Sequence, residues 1–408
     1  MGDRVKSLLF AVVLLAIVFS VELPLPALGS RYASINTEDF ATLMLLGTYI
    51  YTGARQNDWT LRLSRSPTVV FLTAVSTWIV VTVLVATLRS SESIGGSVLW
   101  TLKWFEVVVF YTLVQEMMDE RSGHAVLRTL LFAGVMLSAY AVFTSVLGIG
   151  SYRTRVFFHN PNSLAVFFNL VVLSFAARTV LGSRRRSLMN FLGMAIGGLA
   201  LFSTASRSGM VGLLAGLTTL VLVFGKQVTS RQYIVGGAGL TITAVAAPAV
   251  ISPRLVDRLT KWVRFENGVP VLTDHRSANA IRHRLDLLEK GFELFLQQPV
   301  FGHGWFASPS RLPPLDIHYT TLLAEVGVIG FLLFTALYAS ITRDWFRVAT
   351  SGNAWWGYAG LTWFCSILAQ SIGGNFLRTP QILFLLFLLL TAGQAVTQRR
   401  LVASEGTP

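Results

Sequence analysis

Long apolar stretches recur along the whole chain, separated by short polar connections. A helix covers a bilayer's hydrocarbon with about 20 such residues, because its backbone polar groups are satisfied within the segment. Twelve stretches follow this pattern, at residues 7–21, 39–52, 67–88, 96–117, 125–147, 163–181, 188–202, 210–224, 233–251, 319–341, 355–371 and 381–396. Unbroken apolar runs of this kind do not alternate as the strands of a closed barrel must. The pattern predicts an all-α, polytopic membrane protein of about 12 transmembrane helices.

Residues 252–317 break the rhythm, being too long and polar for an ordinary connection. Within them, 278–296 carries Ile281, Leu285, Leu288, Phe292 and Leu296 at helical spacing with polar residues between. This predicts an amphipathic helix lying on one membrane face, ended by Pro299 and Gly302. Three regions result: 1–251 with helices one to nine, 252–317 as a long external loop, and 318–408 with helices ten to twelve and a cytoplasmic tail.

Composition agrees with the pattern, since only 13% of residues are charged and 53% are hydrophobic. The net charge of +13 would suggest nucleic acid in a soluble chain, but here it reads first as topology. Alternate connections hold Arg4, Lys6, Arg55, Arg62, Arg65, Arg121, Arg184, Arg185, Arg186, Lys226, Arg231, Arg343, Arg347, Arg399 and Arg400. The opposing short connections hold only Arg31, Arg89, Arg153, Arg155, Arg207 and Arg378. Short cytoplasmic loops retain Lys and Arg, so both termini are expected in the cytoplasm and residues 252–317 outside. The first stretch has the basic start and apolar centre of a signal peptide, with Ala27 and Gly29 beyond it, but is expected to be retained as a helix. The single cysteine, Cys365, lies in an apolar run, and no zinc-ligand or CxxC spacing occurs.

Arginine on the outer side works against the orienting signal and so asks for a reason. Arg153, Arg155, Arg207, Arg254, Arg258, Arg264, Arg276, Arg282, Arg284 and Arg378 are the candidates. Guanidinium groups match paired phosphate oxygens and stay charged, and a pyrophosphate on a lipid carrier is the natural anion at a membrane surface. Binding lipid headgroups or snorkelling at helix ends accounts for single arginines equally well.

Arg284 opens the segment RLDLLEKGFELFLQQPVFGHG, which ends at Gly304, and His318 opens HYTTLLAEVGVIG, which contains Glu325 and Gly327. Upstream lie Asn160-Pro161-Asn162-Ser163 and Ser206-Arg207-Ser208-Gly209. With these motifs the chain resembles the O-antigen ligase and polymerase superfamily, from Arg155 to about Phe334. It departs from the family pattern at Leu288, where an aromatic residue is frequent, and at Tyr319, where asparagine is.

The resemblance implies transfer of a glycan from undecaprenyl pyrophosphate to an acceptor on the periplasmic face of the bacterial inner membrane. The acceptor is lipid A-core for a ligase, or a growing glycan for a polymerase. Membrane lipids would surround it, and neither cofactor, metal nor nucleic acid is implied. By the same resemblance Arg207 and Arg284 clamp the pyrophosphate, with Arg282, Arg155 and Arg153 as further candidates. His318 suits a general base, because an imidazole titrates near neutral pH and the attacking hydroxyl must lose a proton. A helix N-cap role fits His318 on spacing alone.

Other polar residues carry two readings each. Asn162 and His159 could contact the glycan, Asn162 equally capping its helix. Asp316 could orient His318 or cap the same helix. Glu325, a carboxylate in an apolar run, needs a cation partner. Gly302-His303-Gly304 reads as a tight turn, since no strand and no P-loop lysine accompany it. A transporter is less favoured, because ionisable residues are scarce within the predicted spans.

Overall fold

In the computed structural model the described residues are all except 1, 21, 25–33, 57–65, 90–94, 148–156, 159, 182–186, 225–263, 267–268, 272–274, 307–314, 316, 352–353 and 406–408. Twelve helices are described: α1 (Asp3–Val18), α2 (Thr37–Gln56), α3 (Pro67–Arg89), α4 (Gly95–Met117), α5 (Glu120–Val146), α6 (Pro161–Leu181), α7 (Ser187–Ser203), α8 (Arg207–Phe224), α9 (His275–Gln297), α10 (His318–Thr350), α11 (Trp355–Gln370) and α12 (Pro380–Glu405). The only strands among the described residues form two short antiparallel pairs: β1 (Glu22–Pro24) with β2 (Ser34–Asn36), and β3 (Arg264–Glu266) with β4 (Val269–Val271).

Eleven of the twelve predicted stretches coincide with a described helix, and the ninth, 233–251, lies outside the described residues. Among the described residues, six helices are long and apolar enough to cross a membrane: α3, α4, α5, α6, α10 and α12. Helices α7 and α8 are apolar but shorter. The chain is a helical, polytopic membrane protein, and a total of twelve crossings remains an expectation beyond these six.

The chain forms two compact units, each assembled from separate stretches. The first comprises Met1–Leu130, Gly291–Gly357 and Leu377–Pro408. Here α3 packs along α10, α4 lies against α2 and α12, and α1 fits between α2 and α12. Phe10, Val13, Leu14, Ile17 and Val18 give α1 a fully buried face. Gln381 Nε2 donates to the Ile17 carbonyl at 2.8 Å and Thr37 Oγ1 to that of Ala16 at 2.7 Å, so α1 is built into the core.

The second unit comprises Leu131–Lys290 and Tyr358–Phe376. Its axis is α6, apolar all round and buried continuously from Ser163 to Ala177, as expected of a helix surrounded by others. Glycines let its neighbours approach. A Cβ at Gly193 would meet the Phe175 ring at 2.6 Å, and one at Gly209 would meet Ala165 Cβ at 2.7 Å.

Candidate active site

The sequence predicts a span at 319–341, and within it the structure breaks α10. Gly327 has φ 66° and ψ −173°, a conformation open essentially to glycine alone. Its consequence is large. In a continuous helix, residues 20 positions apart are separated by about 30 Å, yet His318 Nε2 lies 2.8 Å from the Tyr338 hydroxyl. Residues 318–326 therefore form a short arm that folds back beside the long arm, 328–350.

Backbone groups freed by such a break are costly in a membrane protein unless other protein groups meet them. The turn after α9 supplies partners. His303 N–H donates to the Ala324 carbonyl and Gly304 N–H to that of Glu325, both at 2.9 Å. Trp78 Nε1 donates to the Val326 carbonyl at 2.9 Å, and Val328 N–H reaches the Pro299 carbonyl at 2.8 Å. Gly302 and Gly304, both at positive φ, make the tight turn expected of them. Close approach leaves no room for side chains: a Cβ on Gly302 would lie 2.3 Å from the Glu325 carbonyl oxygen, and one on Gly327 would lie 2.2 Å from that of Val300.

Glu325 finds its cation in Arg378, whose Nη2 lies 2.8 Å from one carboxylate oxygen and 3.0 Å from the other. The Arg378 guanidinium also covers the rings of Phe306, at 3.7 Å, and Trp305, at 4.7 Å. Both ionic side chains are buried. This corrects the placing of Arg378 among the phosphate-binding arginines: it sits inside the protein with its charge already neutralised, where it ties the short turn Phe376–Arg378, which leads into α12, to the short arm.

His318 stands at the start of the short arm with its ring wholly buried. Nε2 faces Tyr338, while Nδ1 is buried without a hydrogen-bond partner among the described residues. The rings of Tyr319 and Tyr338 flank it, with centroids 5.6 and 6.0 Å away. No cap hydrogen bond from the Ile317 side chain closes this helix end. Thr321 secures the entry instead, donating to the Ile317 and Leu315 carbonyls at 2.7 and 3.0 Å.

The second unit contains Arg207 and Arg284. Arg207 is the first residue of α8, preceded by Ala205 at φ 51° and by Ser206, whose Oγ accepts from the Gly209 N–H at 3.1 Å. This is an N-cap, so backbone donors and Arg207 stand together at one helix end, an arrangement that favours anions. Asn169 Nδ2 donates to the Gly209 carbonyl at 2.9 Å and fixes that end to α6.

Arg284 reaches the same neighbourhood through Gly373. Its Nη2 lies 3.4 Å from the Gly373 carbonyl. A Cβ at Gly373 would lie 3.2 Å from Arg284 Nη1 and 3.6 Å from Ser208 Cβ, so guanidinium, α8 terminus and Gly373 meet in one small volume. Gly373 was not identified from the sequence.

Arg282 is exposed, and two residues from Arg284 it occupies another helix face. Asn162 is the second residue of α6, while the cap is made by Asn160, whose Oδ1 accepts from Ser163 N–H at 2.8 Å. Arg153, Arg155, His159 and Asp316 fall outside the described residues. Helix α9 starts earlier than predicted, at His275, and its apolar spacing does not face the protein. Leu285, Leu288, Phe292 and Leu296 are exposed, whereas Leu287 is buried and Gly291 rests near Thr320.

The O-antigen ligase family matches residues 192–335, a stretch containing Arg207, Arg284, His318 and the Gly327 break. This stretch belongs to the O-antigen ligase superfamily. The ligase-family stretch runs through both compact units, from α7 into the long arm of α10. The chain is also similar to a 2-keto-3-deoxygluconate permease of Xanthomonas axonopodis pv. citri (strain 306), with 24% identity over 168 residues. That likeness covers 40% of this chain and 52% of the permease, so the chain spans about half the length of that relative.

Proposed function

We propose that the protein is an O-antigen ligase of the bacterial inner membrane, with both termini cytoplasmic and its reaction at the periplasmic face. It would transfer O-antigen polysaccharide from undecaprenyl pyrophosphate to lipid A-core. One observation carries this reading: the stretch matched by the O-antigen ligase family holds Arg207, Arg284 and His318.

The chemistry assigned to these residues is a displacement with inversion at the anomeric carbon. His318 takes the proton of the attacking core hydroxyl, the new glycosidic bond forms, and the bond to pyrophosphate breaks with its electron pair leaving on phosphate oxygen. Arg207, Arg284 and the α8 N-terminus stabilise that leaving charge, so no metal is assigned a role. Because His318 is fully covered, the core hydroxyl reaches it only after that cover opens. Arg282, Arg153, Arg155, Asn162 and His159 are assigned to the glycan and outer phosphate.

Deleting the gene and analysing lipopolysaccharide tests the proposal. Polymerised glycan left on its lipid carrier, with lipid A-core uncapped, is the expected result. Core bearing a single repeat would instead assign the chain to the polymerases of the superfamily. Glycan missing from a protein acceptor would assign it to the protein-directed O-oligosaccharyltransferases.

The permease likeness favours a second reading, a transporter. Against it, the buried pair Glu325–Arg378 is mutually neutralised, and Lys103 is engaged by Asp39 and Glu106, which leaves these groups ill suited to coupling an ion. Unchanged lipopolysaccharide together with lost uptake of a sugar acid would decide for transport.

A further inference from the structure

The contact between the two arms of α10 gives a role to a residue outside every motif considered above. His318 and Tyr338 are 0% and 9% exposed, and their 2.8 Å hydrogen bond has two possible directions. A neutral imidazole carries one N–H and one lone pair. If the Tyr338 hydroxyl donates to Nε2, the ring proton sits on Nδ1, a buried donor without a partner among the described residues. The ring's one lone pair, on Nε2, is then already taken up by the Tyr338 hydroxyl. If Nε2–H donates to the Tyr338 oxygen, Nδ1 keeps its lone pair. Buried donors without partners are rarer than buried acceptors without them, which favours the second direction.

We propose that Tyr338 is a positioning residue for His318. Its hydroxyl accepts from Nε2–H, holds the ring against the long arm and leaves Nδ1 as the atom that takes the proton of the attacking hydroxyl. The inference rests on the reading of His318 as base. Among the described residues, the other charged or titratable groups around the ring are Arg378, held by Glu325, and Tyr319. The fold-back at Gly327 is what brings Tyr338 within reach, so the helix break serves the base as well as the packing.

Tyr338→Phe removes one oxygen and keeps the ring. With membrane-embedded protein, a lipid-pyrophosphate-linked glycan and lipid A-core as substrates, kcat should fall at least about 10-fold with KM for the core little changed. Against a His318→Ala background the same change should cause no further loss, because its effect passes through the imidazole. An unchanged kcat, or equal losses in both backgrounds, overturns the role of Tyr338 while leaving His318 as base. A His318→Ala variant with near-normal activity overturns the base itself.

A readout on the unsubstituted protein keeps the test open if Tyr338→Phe does not fold. In 15N-histidine spectra, the resonances lost in His318→Gln should belong to a ring protonated at Nε2 and bare at Nδ1. The opposite tautomer overturns the proposal.

Discussion

Arg378 and Arg284 make opposite use of the same side chain. Arg378 is buried, paired to Glu325 and stacked over Phe306 and Trp305. Arg284 projects from α9 in the other compact unit, exposed, beside a glycine and the N-terminus of α8. A guanidinium with a carboxylate partner binds structure together, because its field is cancelled locally. One left beside backbone N–H groups keeps its field for an outside anion. A predicted outer-side position alone therefore does not tell which arginine is left open to an anion. What distinguishes the two is whether the fold has already supplied the negative charge.

The largest disruption should come from the first unit. Gly327→Ala would force a Cβ into the Val300 carbonyl at a φ that side chains rarely adopt, and should cost at least about 4 kcal/mol. Little folded protein should be recovered in detergent, as read by size-exclusion profile and thermal aggregation. A well-folded variant would mean that the arms of α10 need no reversal there.

Arg378→Ala leaves Glu325 buried without its cation, which typically costs about 3–5 kcal/mol. Arg378→Met combined with Glu325→Gln should recover part of that loss, since no buried charge is stranded. Equal thermal stability of Arg378→Ala and the unsubstituted protein would remove the distinction between the two arginines.

Arg284→Lys should leave stability near that of the original and lower transfer about 10-fold or more, because an ammonium cannot present paired planar donors. The measurement is glycan transfer by protein of verified folding. Full activity would assign Arg284 to headgroup binding. The smallest effect belongs to Ser206→Ala, which removes the α8 cap and should cost about 1 kcal/mol in thermal stability.

Local rules reached far in this chain. Span positions followed from hydropathy because a membrane helix is selected mainly by its own apolar length, and the ends of α3, α4 and α6 fall within a residue or two of expectation. The need of Glu325 for a cation was legible for the same reason: a lone carboxylate in an apolar run cannot stand. Which cation it would be was not legible, since Arg378 is distant in sequence. For α9, periodicity correctly gave a helix with an apolar stripe, but could not say that Leu287 and Gly291 would face the protein and leave Leu285, Leu288, Phe292 and Leu296 open.

The amino-acid sequence by itself determined a helical membrane protein, because that depends on composition and hydropathy, and its resemblance to a known family singled out the motif residues Arg207, Arg284, His318, Gly302 and Gly327 as candidates. Only the tertiary structure decided that α10 doubles back, that Tyr338 meets His318, and that Gly373 stands beside Arg284. Those outcomes depend on steric space and hydrogen-bond partners contributed from remote parts of the chain. A glycine signals that the backbone has freedom at one point, but its surroundings determine how that freedom is used.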